Sequence, residues 1–170
     1  SGQGLQWVEH VTSVGSGTSI TLGNVTVSGG TGAFSGSANS LAVTLNNVGE
    51  AIGLSNTPLV GYFTYEVAKQ SIVYVSANAT NNIIVNFVGS STTSLNTVMS
   101  IGQSVTVTLL LTNGGTAYLL NGFRIDGVAV TPKWQGGTAP STGNSTSIDT
   151  YSFSILKTAN NTFTVLASLT

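Results

Sequence analysis

Residues 151–167 read Tyr-Ser-Phe-Ser-Ile-Leu-Lys-Thr-Ala-Asn-Asn-Thr-Phe-Thr-Val-Leu-Ala. In an extended chain successive side chains point to opposite faces. Tyr151, Phe153 and Ile155 therefore share one side, and Phe163, Val165 and Ala167 come back with the same alternation. Thr158-Ala159-Asn160-Asn161 supplies the turn between them, because Asn tolerates the left-handed backbone that tight turns need. The stretch predicts a β-hairpin with one apolar face.

The same grammar extends towards the N-terminus. Asp126-Gly127, between Phe123-Arg124-Ile125 and Val128-Ala129-Val130, is the strongest short-hairpin signal, since both central residues of such a turn want positive φ. Val105, Val107, Leu109 and Leu111 alternate with Ser104, Thr106, Thr108 and Leu110. Asn113-Gly114-Gly115 is read as the next turn, with Ala117 to Leu120 returning beside that strand. Ile83, Val85 and Phe87 line one face of a strand, and Val60–Val67 and Ser71–Val75 are β-prone. Ser94 to Ser100 is the best candidate for a single helical turn, which Gly102 would end. In the first third, Gly23-Asn24 separates two short alternating runs, and Leu41 to Leu45 alternates again. No repeat of fixed period emerges, which leaves little for a solenoid.

The expected fold is all-β, an antiparallel β-sandwich or jelly roll of eight to ten strands. A Gly/Ser/Thr-rich β segment or arm (residues 1–57) precedes the sandwich domain (58–170). The chain starts Ser1-Gly2 rather than Met, so it is treated as open to being a fragment of something longer.

Composition narrows the function. Charged residues make up 5% of the 170 positions, where an ordinary domain has about 25%. Lys69, Arg124, Lys133 and Lys157 are the only cations. They are too few and too dispersed for nucleic-acid binding, which needs clustered charge to displace counterions, or for a polybasic membrane patch. No apolar run is long enough to insert into a bilayer as a helix. The absence of cysteine excludes disulfides and thiolate metal sites.

Catalytic chemistry is equally ill supplied. His10 is the single histidine, and no Gly-x-Ser-x-Gly elbow accompanies it; Gly15-Ser16-Gly17 is too short. The acids are Glu9, Glu50, Glu66, Asp126 and Asp149, with no pair marked by spacing for glycoside hydrolysis and no calcium-loop pattern. Asp126 is accounted for by its turn, Asp149 by a strand start and Glu66 by pairing with Lys69. The reading is therefore no enzyme, no cofactor and no metal. Four Asn-x-Ser/Thr sequons, at Asn24, Asn78, Asn144 and Asn160, mark surface turns in a chain rich in both residue types.

Sugar recognition is the most specific binding hypothesis. Trp134 offers an aromatic face, Gln135 an amide, and Gly136-Gly137 close backbone approach. Trp7, Tyr118 and Asn121 are secondary candidates. Against this, the large apolar area of Trp134 favours a core or inter-subunit plug held by Pro132 and Pro140.

Gly102-Gln103-Ser104-Val105-Thr106-Val107, Phe123-Arg124-Ile125-Asp126-Gly127, Thr131-Pro132-Lys133-Trp134-Gln135-Gly136-Gly137-Thr138-Ala139-Pro140, Tyr151 to Thr158 and Thr164 to Ser168 also carry a family likeness. Over about residues 70–170 the chain resembles C-terminal domains of tail-fibre-like and other virion structural proteins of marine tailed phages, especially those infecting cyanobacteria. The Lys-Trp-Gln-Gly-Gly-x-Ala-Pro stretch is its most specific part. The resemblance implies a virion location, contact with other virion proteins and a homo-oligomer, a trimer for a fibre, and it transfers no catalytic residue. Host recognition through a cell-surface glycan is the expected role. A capsid decoration or head-fibre protein and a secreted carbohydrate-binding module are the alternatives.

Overall fold

The computed structural model describes residues 50–170. The expectations at His10, Trp7, Glu9, Gly15-Ser16-Gly17, Gly23-Asn24 and its sequon, and Leu41–Leu45 lie outside the described residues. Among the described residues ten strands follow one another: β1 (Gly53–Ser55), β2 (Tyr62–Glu66), β3 (Ile72–Val75), β4 (Ile83–Val88), β5 (Ser104–Thr112), β6 (Leu120–Ile125), β7 (Val128–Ala129), β8 (Lys133–Trp134), β9 (Ile148–Ala159) and β10 (Thr162–Leu169). One helical turn, α1 (Leu95–Val98), lies between β4 and β5, and a 3-10 turn (Gln135–Gly137) follows β8. The predicted single helical turn is thus present; it stops at Met99, and Gly102 takes positive φ (86°) in the turn that leads into β5.

The strands form a six-stranded sheet, β1-β3-β5-β9-β10-β8, and a four-stranded sheet, β2-β4-β6-β7. The chain is β-rich as expected, but both sheets are mixed. The pairs β1/β3, β3/β5, β2/β4, β4/β6 and β8/β10 are parallel. Only β5/β9, β6/β7 and β9/β10 are antiparallel. From β1 to β6 the chain alternates between the sheets, so strands two apart in sequence lie side by side and run the same way. The crossover that a parallel pair requires is here a strand of the other sheet. Apolar alternation reports which face of a strand is buried and says nothing about which strand lies beside it; that is why an antiparallel order was expected.

The turn at Asn113-Gly114-Gly115 illustrates the difference. A tight hairpin there needs positive φ, and none of the three residues has it. The Asn113 side chain instead turns inward, 2% exposed. Its Oδ1 accepts from the Tyr118 amide (3.1 Å), and its Nδ2 donates to the Tyr118 carbonyl (3.0 Å). The chain is thereby carried to β6 in the other sheet. The two clear hairpins do form. Asp126 (φ 49°) and Gly127 (φ 82°) join β6 to β7, and Asn161 (φ 52°) helps join β9 to β10.

One apolar cluster draws on both sheets. Ile83, Val85 and Phe87 of β4, and Tyr151, Phe153 and Ile155 of β9, are fully buried. Phe87 meets Phe153 at a ring-centroid distance of 5.1 Å, and Tyr65 meets Phe87 at 5.8 Å. Two phenols also cross between the sheets. Tyr65 of β2 donates to the carbonyls of Ser71 (2.8 Å) and Thr108 of β5 (3.2 Å). Tyr151 of β9 accepts from the amide of Leu120 in β6 (3.2 Å).

Burial pushes the Tyr151 phenol up to about 12, with the Asp149 carboxylate adding to the rise and the Leu120 amide opposing it. Burial raises Tyr65 further, with the Thr108 backbone opposing the rise and Glu50 adding to it. A phenol whose folded pKa exceeds its unfolded value contributes stability that is present below about pH 10 and lost above it. Unfolding free energy measured in denaturant is therefore expected to hold up to pH 10 and fall between pH 10 and 12. Stability that stays flat across that window would contradict these placements.

Candidate functional site

The ionisable side chains show first what the fold does with its few charges. Asp126, in the β6–β7 turn, receives the amides of Leu95 at Oδ1 (2.6 Å) and Asn96 at Oδ2 (2.9 Å). These are orphan donors at the start of α1, where a negative charge is favourable. Ser94 caps the same end by accepting from the Thr97 amide (3.0 Å). At the other end Lys157, 6% exposed, donates its Nζ to the carbonyls of Met99 (2.8 Å) and Asn96. A single helical turn is marginal alone; this one is held between a carboxylate and an ammonium that both complement its dipole. The sequence reading credited Asp126 with its turn alone and left Lys157 as a scattered cation. The capping role escaped it because the partners lie 31 and 58 residues away in sequence.

Asp149, fully buried, accepts from Asn113 Nδ2 (3.1 Å), the Asn144 amide (3.2 Å) and Asn144 Nδ2 (2.7 Å). Gly143 sits against this group. A Cβ there would lie 2.2 Å from the Tyr118 carbonyl oxygen and 2.7 Å from Asp149 Oδ2, so no larger residue fits without moving backbone. Glu66 pairs with Lys69 at 3.5 Å, as the sequence predicts. Arg124 donates to the Gly127 carbonyl (2.8 Å). Among the described residues no group of three or more His, Cys, Asp or Glu side chains gathers.

The tryptophan stretch lies at an edge of the six-stranded sheet. Trp134 pairs with Ala167 and Lys133 with Leu166, in parallel with β10. The Trp134 ring is half-buried and meets Phe123 edge-on at 5.6 Å, and Phe123 touches Phe153 at the same distance. One flank of the indole thus belongs to the core. Trp134 and Gln135 also line two adjoining depressions. The first, about 540 Å³, is walled by Thr138, Pro140, Thr142 and Asn144, with Leu169 and Thr170 behind. The second, about 380 Å³, opens over Lys133, Ser152, Ser154, Leu166 and Ser168. Gly136 (φ 76°) and Gly137 (φ 80°) hold backbone conformations that favour glycine, and they set the loop that carries Gln135 outward.

Of the four predicted ligand residues, Trp134 and Gln135 come together. Tyr118 is half-buried against the core, and Asn121 is exposed on β6 of the other sheet; neither lines these depressions. Sequence reasoning missed Thr138, Thr142 and Asn144, since loop residues carry no periodic signal. Comparison with protein-family models, with curated proteins and with solved structures gives no match for the chain.

Replacing Asp126 by Ala removes two charge-assisted bonds to backbone and is expected to cost about 2–3 kcal/mol. Lys157→Met should cost a similar amount by leaving two carbonyls unpaired. Chemical denaturation checks both; a loss under about 0.5 kcal/mol for either would mean that α1 does not depend on its clamp. Gly143→Ala is expected to lower the melting midpoint, measured by circular dichroism, by roughly 8 °C or more.

Proposed function

We propose that this chain is a structural and recognition module of a virus particle, a two-sheet sandwich-like unit that works by assembly and by surface contact. What supports it most is the use made of charge. Asp126, Asp149 and Lys157 are tied to backbone or amide partners inside the fold, while the 540 Å³ depression beside Trp134 is lined by hydroxyls, amides and apolar atoms. Such a lining suits a neutral, hydroxyl-rich ligand. The virion assignment, with tail fibre ahead of capsid decoration, draws on the likeness of residues 70–170 to phage structural proteins. The sandwich description draws on the ring contacts that join the two sheets.

Within this reading the 540 Å³ depression is the glycan site. Trp134 supplies the stacking face, and Gln135, Thr138, Thr142 and Asn144 supply the hydrogen bonds. Aromatic contact and orienting polar groups together make such sites selective. A glycan array of bacterial surface polysaccharides is expected to return a neutral oligosaccharide. Gln135→Ala should weaken that ligand about tenfold, the worth of one hydrogen bond, with the melting temperature unchanged. Trp134→Ala should abolish binding and also lower stability. An array without binders, or binding untouched by Gln135→Ala, would remove the glycan role and leave the purely structural one, which binding of the purified chain to particles rather than to cells would test.

A further inference from the structure

The strand register defines a second surface. On the outer side of the six-stranded sheet one row runs Leu54, Tyr74, Leu110, Thr150. The next runs Ile72, Thr108, Ser152, Ser168, and a third runs Thr106, Ser154, Leu166, Lys133. Thr106 and Ser154 hydroxyls lie 3.5 Å or less apart, at 3.4 Å, which places these rows on one face. The ionisable groups of β9, Asp149 and Lys157, point the other way and are buried. Among the described residues of these rows Lys133, at the margin, is the single charge. Leu54 is 68% exposed and Leu166 44% exposed.

We propose that this face is where a second copy of the chain docks. The proposal rests on the reading that the module acts by assembly, and it names the surface. Three observations select a like partner. A face without charge offers nothing to a charged one, whereas hydroxyls donate and accept alike and so complement themselves. In the two central rows the large residues are segregated: Leu54, Tyr74, Leu110 and Ile72 stand on β1, β3 and β5, and the rows continue as Thr and Ser on β9 and β10, with Ile148, Leu156 and Leu166 standing outward beyond them. A half-turn about the strand direction, with its axis between β5 and β9, then sets Ile72 of one copy over Ser168 of the other, and Leu110 over Thr150. It also lowers the Ile72 and Tyr74 ridge towards the 380 Å³ depression lined by Ser152, Ser154, Leu166 and Ser168. Self-complementarity of this kind is what an isologous two-fold contact requires. Finally, the five strands hold 36 residues, which at about 3.3 Å of rise and about 4.8 Å of spacing present roughly 570 Å², the greater part of the ~800 Å² per partner of a stable interface. The 540 Å³ depression is lined from the β8 loop and the end of β10 rather than from these rows.

Light scattering of the full chain is expected to give twice the monomer mass, in place of the trimer that the resemblance implies for a fibre; three times the monomer mass would overturn the two-fold docking and keep the assembly reading. Ser152→Lys, which would bury an ammonium without a partner at the centre of the contact, should weaken the dimer at least about tenfold. The chain has no cysteine, so an Ile72→Cys/Ser168→Cys variant carries the only two thiols. Within one copy they are three strand spacings apart, about 14 Å, beyond disulfide reach; across the proposed axis they meet. Oxidation should therefore give a covalent dimer, and this second measurement decides the matter where the Lys variant loses its fold. A single-chain mass at every concentration up to about 100 μM would overturn both the docking and the assembly reading. A multimer of unchanged mass in Ser152→Lys, with no cross-link in the Cys variant, would overturn the docking alone.

Discussion

Aromatic contact across the core is the constraint on which the rest of the structure depends. Tyr65 and Phe87 belong to the four-stranded sheet, and Phe153 belongs to the six-stranded one. Their rings run as a continuous line, from Tyr65 through Phe87 to Phe153 and on to Phe123 and Trp134. Aromatic pairs gain a little beyond their buried area when tilted or edge-on, and most of these are. The line also carries position. Trp134 stands at the sheet edge with one flank on Phe123, so the orientation of its free flank is set from inside the core. For the recognition role proposed for Trp134, a rigid core beneath the indole lowers what must be ordered on binding.

The scarcity of charge has two consequences that work together. Few ionisable groups mean that each can be placed where it stabilises backbone. Asp126 and Lys157 hold the two ends of α1, and Asp149 gathers Asn113 and Asn144 beside Gly143. The polar part of the described surface is then left largely to Ser, Thr and Asn, with exposed apolar residues such as Leu54 and Leu166 among them. The polar side chains keep a face wet without giving it a field, so contact between surfaces depends on shape and on short-range hydrogen bonding. Long-range steering, which a charged surface would provide, has little to act on here.

Much of this was legible in the sequence, and the failures share a cause. The buried faces of β4, β5 and β9 followed from alternation, because Ile83, Val85, Phe87 and Tyr151, Phe153, Ile155 carry the period directly. The Asp126-Gly127 hairpin followed from turn chemistry, and α1 from the Ser94–Ser100 stretch with Gly102 beyond it. Strand neighbours outside the two hairpins did not follow. Parallel pairing of β1, β3 and β5, with β2, β4 and β6 in the other sheet, is set by crossovers that leave no mark on local periodicity. Beside the 540 Å³ depression Trp134 and its adjacent amide were visible as a short motif, whereas Thr138, Thr142 and Asn144 reach it through a loop. Tyr118 and Asn121 were chosen by residue type, and residue type does not determine which wall a side chain lines.

The alternating course of β1 to β6 bears on function as well as on topology. Each new strand is added beside one laid down two elements earlier, so the large outward residues of β1, β3 and β5 accumulate on one half of the six-stranded sheet. The β9–β10 hairpin then adds the other half, with hydroxyls facing outward in the two central rows and Ile148, Leu156 and Leu166 beyond them. In those two central rows the boundary between large and small side chains coincides with the change from crossover addition to hairpin addition. The mixed pairing itself follows from the way the chain winds between its two sheets.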